Sequence, residues 1–256
     1  GDDKFTIEST HGAATSPFEE TTALNTGPGD DTVEINNLTD ILVVTGQAGN
    51  DTINMDGAGL GSSSTLNGDD GEDVFNLNAV IGTVTVNGGN HADTVNVNDV
   101  TDVLVVNGDA GGDTVNVYST DAGSMSTLNG DAGNDVFNVR AMNGSVEVHG
   151  GADNDTVNVA SLAPLLPNGP RTTPTGTIDD INALLTVDGG SGVMDVMNID
   201  DSAAATSNKS GILTGNSLTG LGLEGPIGYL GREKLSIWLG SGANIFTINS
   251  THSGET

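Results

Sequence analysis

The sequence predicts an all-β fold: a parallel β-helix, or β-solenoid, of about nine coils with 20–22 residues per coil and two inserted loops. Three observations predict it. A corner of glycines ending in an aspartate recurs along the chain. The spacing of these aspartates is nearly constant. Each is followed by alternating apolar residues.

The corner reads GQAGNDTINM at Gly46, GDDGEDVFNL at Gly68, GGNHADTVNV at Gly88 and GDAGGDTVNV at Gly108. It continues as GDAGNDVFNV at Gly130 and GGADNDTVNV at Gly150. The anchor acids are Asp31, Asp51, Asp73, Asp93, Asp113, Asp135 and Asp155, spaced 20, 22, 20, 20, 22 and 20 residues apart. A stretched form, GGSGVMDVMNI, carries Asp195, and in GSGANIFTI the aspartate becomes Asn244.

Three coils make a longer repeat of 62 residues, with copies at 31–92 and 93–154. TDILVV at Thr39 matches TDVLVV at Thr101, STLNGD recurs at Ser64 and Ser126, and Phe75 matches Phe137. A third triple, 155–245, is interrupted at 160–180, rich in proline, and at 201–231, rich in Ser, Gly, Leu and Ala. Both read as excursions from the stack, because loops lengthen at modest entropic cost while a scaffold is kept. GDDKFTIESTH at residues 1–11 resembles GANIFTINSTH at 242–252, so the chain reads as one unit of a tandem array whose partners are adjacent units.

The apolar alternation explains the strands. Val33 and Ile35, Ile53 and Met55, Phe75 and Leu77, and Val95 and Val97 follow the anchors. Leu42 and Val44, Val84 and Val86, and Leu104 and Val106 precede the next corner. Period two places each set on one strand face. A coil this short buries that face only when another coil stacks on it. Out-facing asparagines such as Asn54, Asn96 and Asn116, and Asn67, Asn87, Asn107 and Asn129 before the glycines, predict hydrogen-bonded ladders.

Thirty-five acidic residues against 6 basic ones give a formal charge of -29. No basic patch can follow a phosphate backbone, which excludes nucleic acid as a partner. No apolar run reaches membrane-spanning length, and with no cysteine there is neither a disulfide framework nor a thiolate metal site. Stacked anchor carboxylates would repel one another at the strand spacing of about 4.8 Å. Calcium, a hard cation that takes six to eight oxygen ligands, answers that repulsion. The expected ligands are the anchors with Asp195, aided by the corner acids Asp30, Asp69, Asp70, Glu72, Asp109, Asp131 and Asp153.

These corners resemble the calcium-binding repeats of the RTX (hemolysin-type) family, whose nonapeptide is Gly-Gly-x-Gly-x-Asp-x-apolar-x. Gly88, Gly89, Asp93 and Val95 match its first, second, sixth and eighth positions, as do Gly150, Gly151, Asp155 and Val157. The resemblance implies several bound calcium ions, secretion or display at the cell surface, and folding outside the cell. One departure is clear: the nonapeptide occurs once per coil, which implies a wider coil with ions along one edge only.

No catalytic motif is present, and acids recurring in every coil suit a lattice of ion sites better than an active site. A rigid, adhesin-like spacer is the leading expectation. The alternatives are a carbohydrate- or surface-binding module, or a part of a β-helical polysaccharide lyase or epimerase. For an acidic extracellular polysaccharide the one local gathering of base and aromatic residues is Lys209, Tyr229, Arg232, Lys234 and Trp238. The competing expectation packs Trp238 inward, at the coil position of Leu66 and Leu128.

Overall fold

A computed structural model describes residues 1–8, 21–38, 40–58, 62–162, 176–204, 209–231 and 234–249. The strands alternate between two sheets. Sheet A stacks β1 (Lys4–Ile7), β3 (Thr32–Leu38), β5 (Thr52–Ala58), β7 (Val74–Val80), β9 (Thr94–Val100), β11 (Thr114–Thr120), β13 (Val136–Val139), β15 (Thr156–Val159), β17 (Val196–Asp201) and β21 (Lys234–Leu239), in that order. Sheet B stacks β2 (Thr21–Asn25), β4 (Ile41–Ala48), β6 (Ser63–Asp70), β8 (Thr83–Asn90), β10 (Val103–Ala110), β12 (Met125–Asn129), β14 (Ser145–Gly151), β16 (Leu185–Gly190) and β20 (Ile227–Leu230). It ends on β19 (Ser217–Gly220), β18 (Ser210–Leu213) and β22 (Ile245–Ile248). This is the expected parallel β-solenoid. Among the described residues no helix is long and apolar enough to cross a membrane.

The register follows from the apolar alternation. Val33, Ile53, Phe75, Val95, Val115, Phe137, Val157 and Met197 form one vertical column of sheet A, and all are buried. A slip of one residue would carry the neighbouring Thr and Asn positions into the core, so the pairing is strongly specified. In sheet B, Leu42 pairs with Ser64, Ser64 with Val84, and Leu104 with Ser126. Ser64 and Ser126 are buried and their hydroxyls have no hydrogen-bond partner. They recur at the 62-residue spacing, as do the two phenylalanines.

The asparagine ladders form on the outer faces. On sheet A, Asn76 donates to Asn54 at 2.7 Å, Asn96 to Asn76 at 2.8 Å and Asn116 to Asn96 at 3.0 Å. The run continues through Asn138, Asn158 and Asn198. On sheet B, Asn87, Asn107 and Asn129 each donate to the asparagine of the preceding coil.

Three expectations need correction. The regular stack makes about 6 turns over residues 21–159, rather than nine coils through the chain. Beyond it, β18 and β19 pair antiparallel, as do β19 and β20, while β20 rejoins the parallel stack on β16. The segment 201–231 therefore supplies a coil strand as well as an excursion. Nor does Asn244 stack on the Asp195 coil: β21 occupies that place against β17, and β22 pairs with β18. The sequence hides this because the residue before Lys234 is Glu233, so no Gly-x-Asp signal marks the corner.

Core and face positions separate by energy. Leu77→Ala in the fully buried column should cost about 2–5 kcal/mol. Thr83→Ala, at an exposed position of β8, should stay within about 0.5 kcal/mol of the parent. Urea unfolding followed by circular dichroism checks both.

Candidate ion site: the buried aspartate column

Each corner is built from left-handed backbone. Gln47, Asp69, Gly89 and Asp109 form a column by register and have φ of 81, 73, 112 and 66°. Asp131 and Asp153 also have positive φ, 66 and 72°. Aspartate and glycine tolerate this region better than most residues, which accounts for the acids found there. Outside the corner these turns line an open trough of about 540 Å³ that includes Asp69, Asp70 and Asp109. Before some anchors the preceding residue forms an outer rung: Asn50 N–H donates to Asp30, Glu72 N–H to Asn50 and Asn154 N–H to Asn134.

The anchors turn the other way. Asp31, Asp51, Asp73, Asp93, Asp113, Asp135, Asp155 and Asp195 are only 1–3% exposed. Each places Oδ1 over the preceding coil and accepts the backbone N–H of that coil's own anchor. The rungs run from Asp31 N to Asp51 at 2.7 Å, Asp51 N to Asp73 at 2.7 Å, and Asp73 N to Asp93 at 2.7 Å. They continue through Asp93, Asp113, Asp135 and Asp155 to Asp195 at 2.7–2.9 Å. Asp3 N–H begins the series on Asp31.

The second oxygen is the anomaly. Oδ2 of Asp31, Asp51, Asp73, Asp93, Asp113, Asp135 and Asp155 is buried and has no hydrogen-bond partner. From Asp51 to Asp155 it points at the first glycine of its own corner, whereas at Asp31 that place is held by Thr26, whose hydroxyl donates to the Gly46 carbonyl at 2.7 Å. A Cβ on Gly46 would collide with Asp51 Oδ2 and lie 2.8 Å from the Gly68 carbonyl oxygen of the next coil. The same clash recurs at Gly68, Gly88, Gly108, Gly130 and Gly150. Glycine is needed there for room. The carboxylate oxygen and a neighbouring carbonyl oxygen thus share one small space.

Burial pushes these carboxyls up from 3.8, to about 6 in Asp51, Asp113 and Asp155 and to about 7 in Asp93 and Asp135. The rung N–H pulls the other way, and neighbouring aspartates add to the rise. Asp73 is raised by the same burial.

Sequence reasoning found the anchors but expected them as ion ligands along an edge. It missed the backbone rung. The five-residue interval from corner glycine to anchor, kept from Gly46 to Gly150, was the available signal. Among the described residues no three or more His, Cys, Asp or Glu side chains gather as a metal cluster. The orphaned Oδ2 atoms beside glycine carbonyls nevertheless have the hard-oxygen chemistry that calcium takes.

The predicted polysaccharide patch is placed piecemeal. Lys209 is buried in ion pairs with Asp179 and Asp201. Tyr229 is 2% exposed and donates its hydroxyl to the Thr214 carbonyl. Arg232 lies outside the described residues. Lys234 is exposed, and Trp238 is half-buried on β21. Trp238 does not take the position of Leu66 and Leu128, which belong to sheet B. It pairs with Asp200, one place beyond the Ile237–Ile199 pair, because β21 continues sheet A. No protein-family model and no curated protein matches the chain.

The raised carboxyls fix a pH dependence. A carboxyl whose folded pKa exceeds its unfolded value of 3.8 binds its proton more tightly in the fold. Its contribution to stability is complete below about pH 4 and is lost as pH rises through 6 to 7. With divalent ions chelated, the thermal midpoint should fall across that window. Asp93→Asn keeps the Oδ1 acceptor and puts an N–H donor beside the carbonyl. It should flatten the fall and raise the midpoint at pH 8. Gly68→Ala would stand 2.5 Å from the Gly88 carbonyl oxygen and should destabilise by about 1–3 kcal/mol. Calorimetry of the variants across pH measures all three effects.

Proposed function

We propose that this rigid, repeat-based β scaffold is an extracellular, adhesin-like spacer whose fold is secured by several calcium ions. The observation that carries the reading is the file of buried Oδ2 atoms without hydrogen-bond partners. An ionised carboxylate in that place is costly unless a cation meets it. The residues that would hold calcium are Asp31, Asp51, Asp73, Asp93, Asp113, Asp135 and Asp155, with carbonyl oxygens of corner glycines such as Gly68 and Gly88. Bound calcium would supply charge neutralisation and oxygen coordination, with no reaction at the metal.

The charge of -29 supports a calcium-rich setting. A cation that binds only the folded chain stabilises it by mass action. A chain with this much negative charge repels itself when no cation is at hand. Stiffness that appears only where calcium is plentiful suits a rod that spaces or displays something at a cell surface. We read the chain as non-catalytic, since its acids repeat from coil to coil without one being singled out.

A second reading, recognition of an extracellular polysaccharide, rests on the regular outer faces. Thr83 and Thr85 of β8 stack on Ser63 and Thr65 of β6, giving hydroxyls at the strand spacing. Its affinity would then depend on these threonines and on Trp238, and not on Lys209 or Tyr229.

The deciding experiment is a calcium titration of the EDTA-stripped chain at pH 8, followed by thermal midpoint and isothermal calorimetry, with magnesium as control. Calcium should raise the midpoint by many degrees with more than one ion per chain. Asp93→Asn should reduce the number bound. A midpoint indifferent to calcium would sink the reading and leave the proton as the neutralising species.

A further inference from the structure

The chain has only 6 basic residues, and one is held between two acids with its side chain largely covered. The Lys209 side chain is 9% exposed. Its Nζ contacts Asp179 Oδ1 directly and lies 3.1 and 3.3 Å from the two carboxylate oxygens of Asp201. Asp201 is completely buried, at the end of β17, and the Asp179 carboxyl is about half exposed. A Cβ on Gly222 would meet Asp179 Oδ1 and lie 3.2 Å from Nζ, so that glycine, at φ +90°, admits the pair.

Both sides of the pair are held. Ile178 and Ile181, flanking Asp179, are fully buried. Ser161 N–H donates to the Thr177 carbonyl, and Ala203 N–H to the Gly176 carbonyl. Ile178 N–H faces Asp201 Oδ1 at 3.5 Å. Lys209 leads directly into β18, which pairs antiparallel with β19 and parallel with β22.

We propose that Lys209 and Asp179 form an intramolecular isopeptide bond, with Asp201 as the positioning acid that moves the proton. The step balances without any co-reactant. Asp201 takes one proton from the Lys209 ammonium, and the freed lone pair forms the Nζ–Cγ bond to Asp179. A Cγ–O bond of Asp179 breaks, and the oxygen leaves as water. Its two protons both originate on Nζ, one of them carried by Asp201. Ammonium and carboxylate become a secondary amide and water.

Three features favour the reaction. The groups are held in contact, and well-oriented intramolecular pairs reach effective molarities of about 10⁵–10⁸ M. The Lys209 side chain is 9% exposed beside the fully buried Asp201, and the amide removes its charge from that place. Burial also raises the Asp201 carboxyl, which suits an acceptor of the ammonium proton. The acids hold the proton on Lys209 more firmly than usual, so transfer to Asp201 is the step that releases the nucleophile. The product ties the segment after the first excursion to β18, where the regular coil-on-coil stack gives way to antiparallel pairing.

The test is the intact mass of the purified full chain under denaturing conditions. It is independent of calcium and separates this inference from the spacer reading. The expected mass is one water lighter than the sequence, with a protease-resistant peptide joining Lys209 to Asp179. Lys209→Arg and Asp201→Ala should give the full mass. Asp179→Asn, which can still form the amide, should come out one ammonia lighter. A wild-type chain at full mass overturns the proposal, as does a cross-link to Asp201 in place of Asp179.

Discussion

One hydrogen bond, repeated, organises the molecule: the backbone N–H of each anchor aspartate donates to the carboxylate of the next coil's anchor. It satisfies a buried donor at the corner, where the strand ladder is interrupted. It also fixes the vertical register of successive corners, since the donor and the acceptor belong to the same residue type. From Gly46 to Gly150 the corner glycine follows from it, because the carboxylate folds back over that residue and leaves no room for a side chain. The left-handed turn residues follow in their turn, as the backbone must reverse within a few positions.

The rung uses one oxygen and strands the other, which makes the scaffold conditional. A column of buried carboxylates is tolerable when protonated or when met by a cation, and poor when bare. A proton or a cation would each answer that one defect. Hydrophobic burial in the Val, Leu and Phe columns shapes the coil, but the state of the corner sets how firmly neighbouring coils are held. The rest of the surface offers little relief, since the outer corner positions carry more acids, among them Asp69, Asp109 and Asp131.

Much of this was legible in the sequence because the physics repeats. The alternation around Val95 and Val97, or Leu104 and Val106, specifies strand, face and register together, and repetition removes ambiguity. Asn96 and Asn116 were readable as a ladder for the same reason. What failed to read was whatever departs from the repeat. β21 begins after Glu233, with no glycine–aspartate corner, so its strand was placed in the wrong sheet. Lys209 looked like a free cation near aromatic residues because its acidic partners, Asp179 and Asp201, are brought to it by tertiary packing. The inward turn of the anchors was hidden because a Gly-x-Asp string specifies a corner and leaves open which side its carboxylate occupies.

The choice of aspartate over asparagine carries the most functional weight. The outer rungs at Asn76, Asn96, Asn116 and Asn138 use the neutral amide, which donates and accepts without penalty in any medium. An asparagine at the inner column would accept the same backbone N–H and present an N–H donor where Oδ2 now stands beside a carbonyl. For constant stability it would be the better residue. The chain instead places a carboxylate at Asp31, Asp51, Asp73, Asp93, Asp113, Asp135 and Asp155, although asparagine stands only three residues further on in most of the same coils. A static scaffold gains nothing from that choice. A carboxylate there is tolerated only when a proton or a cation neutralises it. The charge in the column thus ties the stability of the stack to protonation, through carboxyls that burial raises to about 6 in Asp51 and about 7 in Asp93.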